Sequence, residues 1–189
     1  MSKFNMAIIL TLIMVILLGL ASCGDSTSGI NGTGATSTSF KKIYLAAGVF
    51  STGDYGVGDI DLTCSSGYQA LIGTSTRHPD IGSGAANWIL QANTEYRRAD
   101  GTTVIGTTNA SAVFTFPLTN SFGSSAGSYY TGIESNWSVD QTKNCGDWGS
   151  MADDRTYGNA LSTTSAAISA GVHNCGTSGP AAFVLCVEQ

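Results

Sequence analysis

The sequence predicts a loop-rich domain of the α+β class in which short strands dominate. Its apolar segments are short and alternate with glycine- and serine-rich turns, a pattern typical of small β-rich domains. Charged residues make up only 11% of the chain, so the composition suits a loop-rich extracytoplasmic domain better than a helical bundle. In an exported chain, an even set of four cysteines predicts two disulfides, with three connectivities open: Cys64, Cys145, Cys175 and Cys186.

The N-terminus has the features of a bacterial secretion signal. Lys3 precedes an apolar run over residues 6–20, which is shorter than the roughly 20 residues that span a bilayer as a helix. The run ends in Leu-Ala-Ser-Cys at residues 20–23, which resembles a lipobox. The resemblance implies that residues 1–22 are a lipoprotein signal peptide and that Cys23 carries the lipid. An ordinary cleaved signal is the alternative.

Residues 23–39 are interpreted as the lipidated cysteine and a flexible tether. Twelve of the sixteen residues from 24 to 39 are Gly, Ser or Thr, and such a segment reaches roughly 20–24 Å. The expected localisation is the cell envelope, with the lipid in the outer membrane and residues 40–189 exposed at the surface. A periplasmic face for the same domain stays open.

The charge of the chain disfavours two classes of partner. Removal of residues 1–22 leaves seven Lys/Arg against thirteen Asp/Glu, a net charge of −6. An acidic domain is unsuited to nucleic acid and to anionic polymers. No cofactor and no metal site is expected, because the chain has only two histidines and no Cys-x-x-Cys pair.

The first half of the folded region carries most of the strand signals. Residues 42–50 are β-rich and predict the first strand. Residues 59–66 are ambiguous, because apolar residues at every second position fit a strand as well as a short helix. Three further short strands are predicted around turn signals such as Asp100-Gly101: residues 96–98, 104–107 and 113–116.

The second half is dominated by loops. Residues 120–128 form a Gly/Ser loop, and residues 135–177 are rich in Gly, Ser and Asn with little periodicity. Strands are predicted at residues 129–131 and 183–187. The last of these is continuously apolar, which predicts a central strand that is buried. Long loops of this kind are uncommon unless they are functional or cross-linked.

Six short segments, in this order along the chain, carry a resemblance to a known family. They are residues 68–72, 87–90, 96–103, 130–132, 144–148 and 185–189. Together they resemble the uncharacterised domain of leptospiral surface lipoproteins, and they are similar to endostatin, the C-terminal domain of certain collagens. The resemblance runs from about Ile43 to Gln189 and so covers the whole folded region.

The resemblance implies a C-type-lectin-like fold: a mixed β-sheet with two short helices, long loops, and terminal strands that lie side by side. It favours the helix for residues 59–66. It also implies the nested disulfides Cys64–Cys186 and Cys145–Cys175. A calcium-dependent lectin site is not expected, because residues 134–140 lack the proline and the clustered carboxylates and amides that calcium binding needs.

Three residues are candidates for partner binding: Trp137, Arg97 and Arg98. Trp137 lies in a polar loop and is expected to be exposed, where tryptophan is a frequent anchor for a partner. Arg97 and Arg98 resemble the basic face of endostatin and suggest a sulfated glycan, although internal ion pairs or a solvated edge are the stronger interpretation. Trp88 and Trp148 are expected in the core, and Asp153-Asp154 in a solvated turn.

No catalytic residue is predicted, because His78 and His173 have no Ser or Cys partner in a recognisable setting. The hypothesis is a lipid-anchored surface protein, not an enzyme, which binds host macromolecules through loops within residues 120–179. The resemblance implies extracellular matrix proteins such as laminin or fibronectin, or complement regulators such as factor H. The alternatives are a periplasm-facing envelope protein with a structural or ligand-binding role and a carbohydrate-binding module.

Overall fold

The computed structural model describes residues 39–48, 56–82, 84–177, 179, 181 and 183–189. The predicted signal peptide, Cys23 and all of the tether except Ser39 lie outside these residues. The described chain forms one mixed sheet with two very short helices, which confirms the α+β class. Among the described residues, no helix has the length and apolar character needed to cross a membrane.

The strands are short and the helices shorter. The strands are β1 (Phe40–Ala47), β2 (Tyr68–Ala70), β3 (Glu95–Arg98), β4 (Val104–Thr107), β5 (Ser128–Tyr130), β6 (Asp154–Asn159), β7 (Gly171–Asn174) and β8 (Phe183–Glu188). The helices are α1 (Val57–Asp61) and α2 (Cys145–Trp148), with 3₁₀ turns at Gln141–Lys143 and Ser165–Ala167.

The sheet places the two ends of the domain side by side. Its strand order is β4-β3-β1-β8-β5-β6-β7, and β2 pairs with β8 as well. β1 runs antiparallel to β8, with Ile43 opposite Val187, and parallel to β3 on its other side. Adjacent terminal strands are what the family resemblance implies.

β8 is buried on both faces of the sheet, which confirms the prediction made from its continuous apolar run. Val184 and Cys186 pack into one hydrophobic cluster, while Leu185 and Val187 pack into a second. Successive side chains of a strand point to opposite faces, so a strand covered on both sides needs apolar residues at every position.

An aromatic chain runs through the larger cluster. Tyr96, Phe114, Phe122 and Tyr129 meet edge to face, with ring centroids 5.6 to 6.3 Å apart. Edge-to-face pairs contribute about 0.5–1.5 kcal/mol each beyond the apolar area they bury. Four side chains from separate segments therefore tie irregular backbone to the sheet.

The strand predicted at residues 113–116 is wrong, because only an isolated bridge joins Phe114 to Thr108. The carbonyls of Phe114 and of Ala112, just before this segment, accept hydrogen bonds from side chains. The indole N–H of Trp88 donates to the Ala112 carbonyl at 2.8 Å, and that of Trp137 donates to the Phe114 carbonyl at 3.0 Å. The segment supplies core side chains without regular pairing.

The predicted helix at residues 59–66 is shorter and lies earlier in the chain. α1 ends at Asp61, whose carboxylate accepts the Ala70 N–H and forms a bidentate ion pair with Arg77. Cys64 consequently sits in the turn that follows the helix.

β6 and β7 were missed in the sequence because β6 buries polar side chains. Arg155 and Thr156 are 1% and 0% exposed. The Arg155 guanidinium lies 3.9 Å from the centroid of the Tyr130 ring and donates to the Thr177 carbonyl. A hydropathy pattern cannot indicate a strand whose interior positions are polar.

Candidate functional site

Two disulfides brace the domain, and they join the pairs that the resemblance implies. Cys64 and Cys186 link the turn after α1 to β8, with Cα atoms 5.6 Å apart. Cys145 and Cys175 link α2 to the turn after β7, with Cα atoms 5.8 Å apart. The second bridge holds the loop segment between β5 and β6, which has little regular structure of its own.

α2 is a left-handed turn. The φ angles of Cys145, Gly146, Asp147 and Trp148 are 58°, 55°, 58° and 68°. The left-handed region costs about 1–2 kcal/mol for a residue with a side chain, so a run of four such residues, three of them not glycine, needs strong support from its surroundings. Backbone strain of this kind concentrates at functional sites, so this turn marks a candidate functional site.

Asn144 supplies much of that support. Its side chain is fully buried and makes three hydrogen bonds. The amide nitrogen donates to the Gly73 carbonyl at 3.3 Å and to the Asp147 carboxylate at 2.9 Å, and the amide oxygen accepts the Asp147 N–H at 2.9 Å. The indole N–H of Trp148 donates to the same Gly73 carbonyl.

Asp147 joins the turn to a second loop. Its carboxylate accepts the backbone N–H of Ser75 at 2.8 Å and also the Ser75 hydroxyl. Burial raises the pKa of Asp147, but the hydrogen bonds from Ser75 and Asn144 outweigh that effect and leave the pKa below its ordinary value. The carboxylate is therefore ionised at neutral pH and holds Ser75 in place through these two hydrogen bonds.

Ser75 forms part of a depression that we name pocket A. Its volume is about 370 Å³, within the range of ligand-binding cavities. Two loops enclose it, one running from Thr74 to Ile81 and the other from Trp137 to Gln141. Its lining residues are Thr74, Ser75, His78, Pro79, Ile81, Trp137, Ser138, Val139 and Gln141.

A second depression, pocket B, has a volume of about 440 Å³ and shares Thr74 with pocket A. Trp88 and Arg77 contribute to its wall, together with Val57, Gln69, Thr76 and Asn87. The Asn87 side chain donates to the Thr76 carbonyl, and Arg77 is held by Asp61 at 2.7 Å. The turn at residues 74–77 thus borders both recesses, and these contacts hold Thr76 and Arg77 in place.

The structure corrects the expectation that Trp137 is exposed. The residue is only 4% exposed. Phe116 stacks on its indole at 5.8 Å between centroids, and Trp88 meets it edge-on at 6.2 Å. Aromatic neighbours and a satisfied indole N–H make Trp137 a core residue. Trp137 contributes to the lining of pocket A, but an exposed anchor at this position is wrong.

Arg97 and Arg98 have internal partners. Arg97 donates to Glu95 at 2.7 Å and to the Gly101 carbonyl, and its guanidinium lies 4.1 Å from the centroid of the Phe40 ring. Arg98 donates to both the carbonyl and the hydroxyl of Ser121. Both arginines therefore bind groups within the domain, which favours a structural role over the binding of a sulfated glycan.

Arg98 also lines a third depression, pocket C, at the loop 122–126. That pocket, of about 340 Å³, is bordered mainly by apolar residues of β1, β8 and the loop, including Leu45, Phe122 and Phe183.

The other sequence candidates do not assemble into a reactive group. The His78 ring lies within hydrogen-bond distance of the Pro79 carbonyl, and the hydroxyl of Ser75, which also lines pocket A, donates to Asp147. Within the described ranges, no hydrogen bond joins His78 to a serine, and no group of three or more His, Cys, Asp or Glu side chains could hold a metal. Asp154 is exposed at the start of β6, and the preceding Asp153 is half-buried.

Comparison with protein families identifies a relationship for the central part of the chain. A family model described as "Protein of unknown function (DUF1554)" matches residues 49–166. The chain belongs to the DUF1554 family. A search of curated proteins finds no match. The DUF1554 match contains every lining residue of pockets A and B and the whole left-handed turn, whereas β1, β7 and β8 lie outside it.

The most important residues of this candidate site were not recognised in the sequence. Asn144 and Asp147 lie in a segment noticed only for its family resemblance, and Ser75 lies in a stretch without any motif. The available signal was the pair Gly146-Asp147, because Gly and Asp readily enter the left-handed region. Cys145 and Trp148 share that conformation but give no such signal. The pairing with Ser75, 72 residues away, had no sequence signal.

Proposed function

We propose that this protein is a lipid-anchored envelope protein whose domain binds macromolecules at the cell surface and performs no catalysis. Host extracellular matrix proteins and complement regulators are the partners that the family resemblance implies. The lipobox-like run that ends at Cys23 and the Gly/Ser/Thr-rich segment after it support the anchored location. The net charge of the mature chain argues against nucleic acid as the partner.

The observation that carries the proposal is the immobilised pair of recesses, pockets A and B. Loops that bind partners must be held in one conformation, since ordering them on binding consumes part of the interaction energy. Here the Cys145–Cys175 bridge, the Asn144 side chain and the Asp147–Ser75 contacts hold the loops that enclose pocket A. This face lies partly within the predicted binding region, residues 120–179, and adds the loop at residues 74–81.

We also propose that the fold is the C-type-lectin-like fold. Three features support it: a mixed sheet, terminal strands β1 and β8 that pair with each other, and nested disulfides of which one joins the first helical region to the last strand. A shared fold does not settle function, so the fold by itself names no ligand.

The location is tested by protease shaving of intact cells, with a periplasmic protein as the control. Loss of the domain while the control survives supports surface exposure. Survival until the outer membrane is breached refutes it and makes a periplasm-facing envelope role the leading account. Metabolic labelling with a radioactive fatty acid tests the anchor, because the Cys23→Ser variant should lose the label.

Binding is tested with the disulfide-bonded domain, residues 40–189, against immobilised laminin, fibronectin and factor H. Saturable binding to one of them supports the proposal. The Asp147→Asn variant is expected to weaken that binding, because it removes the charge that fixes Ser75. Absence of binding to all three proteins refutes the partners named here.

A further inference from the structure

We infer that Asn136 is an acceptor for N-linked glycosylation, in which an oligosaccharyltransferase of the bacterial envelope attaches an oligosaccharide to its side-chain nitrogen. The residues that indicate it are Glu134-Ser135-Asn136-Trp137-Ser138. They combine an Asn-x-Ser acceptor triplet with a carboxylate two positions before the asparagine. Bacterial enzymes of this class bind both the serine hydroxyl and the carboxylate, because the two groups fix the position of the asparagine between them.

The carboxylate distinguishes this triplet from the other two in the chain. Asn31 begins an Asn-x-Thr triplet and Asn109 an Asn-x-Ser triplet, but the residues two positions before them are Gly29 and Thr107. Neither of these side chains is acidic. Asn31 lies outside the described residues, whereas Asn109 is described and exposed. The chain therefore contains its own control, an exposed acceptor triplet that lacks only the carboxylate.

The structure places Asn136 at the tip of a tight turn. The Glu134 N–H donates to the Ser138 carbonyl at 2.9 Å, and the Trp137 N–H donates to the Glu134 carbonyl at 2.9 Å. Ser135 and Asn136 lie between these contacts, and both are exposed. An acceptor asparagine has to lie in a surface loop of this kind, because the attached glycan is bulky and solvated.

The hydrogen bonds of the Asn136 side chain leave its nitrogen available. The oxygen Oδ1 accepts the Ser138 N–H at 3.0 Å and the Ser138 hydroxyl at 2.7 Å. Within the part of the chain that the structure describes, Nδ2 donates no hydrogen bond. A glycan on Nδ2 therefore breaks no contact of the fold, and the folded domain can carry it.

The neighbours of Asn136 determine when the transfer can occur. In the folded domain Trp137 is buried, and Glu134 contacts the Lys143 ammonium at 3.3 Å. The segment cannot straighten into an enzyme's binding groove without removing Trp137 from the core. In the exported chain before it folds, all of these side chains are accessible. The transfer therefore precedes the packing of Trp137, and the domain then folds with Asn136 and its glycan at the surface.

The reaction joins the anomeric carbon of the first sugar to Nδ2 of Asn136. The donor is an oligosaccharide linked through a diphosphate to a polyprenol lipid. The new C–N bond forms as the bond between the anomeric carbon and the diphosphate oxygen breaks. The polyprenyl diphosphate leaves with the bonding electron pair, and the amide nitrogen gives up one proton to a base of the enzyme. No oxidant or reductant is consumed.

The first test is mass spectrometry of the full-length protein purified from its own cells, with fragmentation that assigns any added mass to one asparagine. We expect an oligosaccharide on Asn136 and none on Asn109. Exported protein in which Asn136 carries no glycan overturns the inference. A glycan on Asn109 as well as on Asn136 overturns the role of the carboxylate.

The second test isolates the sequence requirement. The full chain and its variants are exported in a bacterium that carries a cloned acid-requiring oligosaccharyltransferase and its lipid-linked donor. The wild type should be modified, whereas Asn136→Gln and Glu134→Gln should lose the glycan. Glu134→Gln gives up only a partly exposed ion pair, so the domain should still fold, which circular dichroism checks. An unmodified wild type, or equal modification of Glu134→Gln, overturns the inference.

Thr107→Asp is the matched gain-of-function variant. It places a carboxylate two positions before Asn109, and Thr107 is exposed at the end of β4, so the change has little effect on folding. We expect a second glycan, on Asn109, in addition to the glycan on Asn136. If Asn109 stays unmodified while Asn136 is modified, the carboxylate is not what selects Asn136, and the basis of the inference falls.

The inference rests on the export that is part of the proposed function, but not on the anchor or on a host partner. If protease shaving places the domain at the cell surface and Asn136 is unmodified, the proposed location stands and the inference is wrong. If Asn136 is modified but laminin, fibronectin and factor H do not bind, the inference stands and the named partners are wrong.

Discussion

Asn144 should be one of the most sensitive polar positions in the domain. The variant Asn144→Ala removes three hydrogen bonds from the left-handed turn and leaves the Asp147 N–H without its side-chain acceptor. At about 1 kcal/mol for each bond, the free energy of unfolding should fall by about 3 kcal/mol. For a domain of about 150 residues the entropy of unfolding is near 0.3 kcal/mol per kelvin, so the melting temperature should fall by about 10 °C.

The assay is thermal unfolding followed by circular dichroism, with both disulfides intact in every sample. Asn120→Ala is the matched control, because Asn120 is exposed and its side chain donates a single hydrogen bond, to the Val104 carbonyl. The control should lose no more than about 1 kcal/mol. Equal melting temperatures for the two variants would show that Asn144 does not hold the turn, and the account of the strained segment would have to be abandoned.

Two further outcomes follow from the packing and from the charge of Asp147. Gly158→Ala places a methyl carbon in collision with the Ala167 carbonyl oxygen and should destabilise the domain by about 3 kcal/mol. Gly58→Ala, with open space around its Cβ, should be neutral or stabilising by up to about 1 kcal/mol. Similar urea midpoints for the two variants would contradict this packing. Because the folded-state pKa of Asp147 lies below its ordinary value of 3.8, the stabilisation from its ionised form is fully present above that pH and is lost as the pH falls through the folded pKa. The difference in unfolding free energy between the wild type and Asp147→Asn should therefore shrink as the pH falls below about 4, and a constant difference from pH 6 to pH 2 would rule out this linkage.

A strand of the sheet was predictable from the sequence where its burial requires a recognisable pattern of apolar residues. β8 is covered on both faces, so its apolar run was unambiguous, and β4 was placed at the observed residues because Asp100-Gly101 marks the turn before it. β6 could not be predicted, since its buried Arg155 is accommodated by the Tyr130 ring and the Thr177 carbonyl, which are distant in sequence.

The candidate site was less predictable than the sheet. Trp137 was placed at the surface because its neighbours in sequence are polar, yet its neighbours in space are Phe116, Phe114 and Trp88. Pocket A is formed by two loops more than fifty residues apart, and the contact between Ser75 and Asp147 that fixes them exists only in the folded chain. Long-range polar contacts leave no periodic pattern in a sequence, so local reasoning cannot find them.

The bridge between Cys64 and Cys186 also sets a limit on how far the domain can be stretched. A pulling force that enters at Phe40 can strip β1 and α1 from the sheet, but the chain it releases ends at Cys64, where the load passes into a covalent bond to β8. The released segment extends by at most about 85 Å, from roughly 3.5 Å for each of its residues. Pockets A and B lie beyond that point in the chain, apart from Val57 at the edge of pocket B. In the anchored protein that we propose, the oxidised domain should therefore keep pockets A and B folded under a pulling force, whereas the reduced domain should unfold past Cys64.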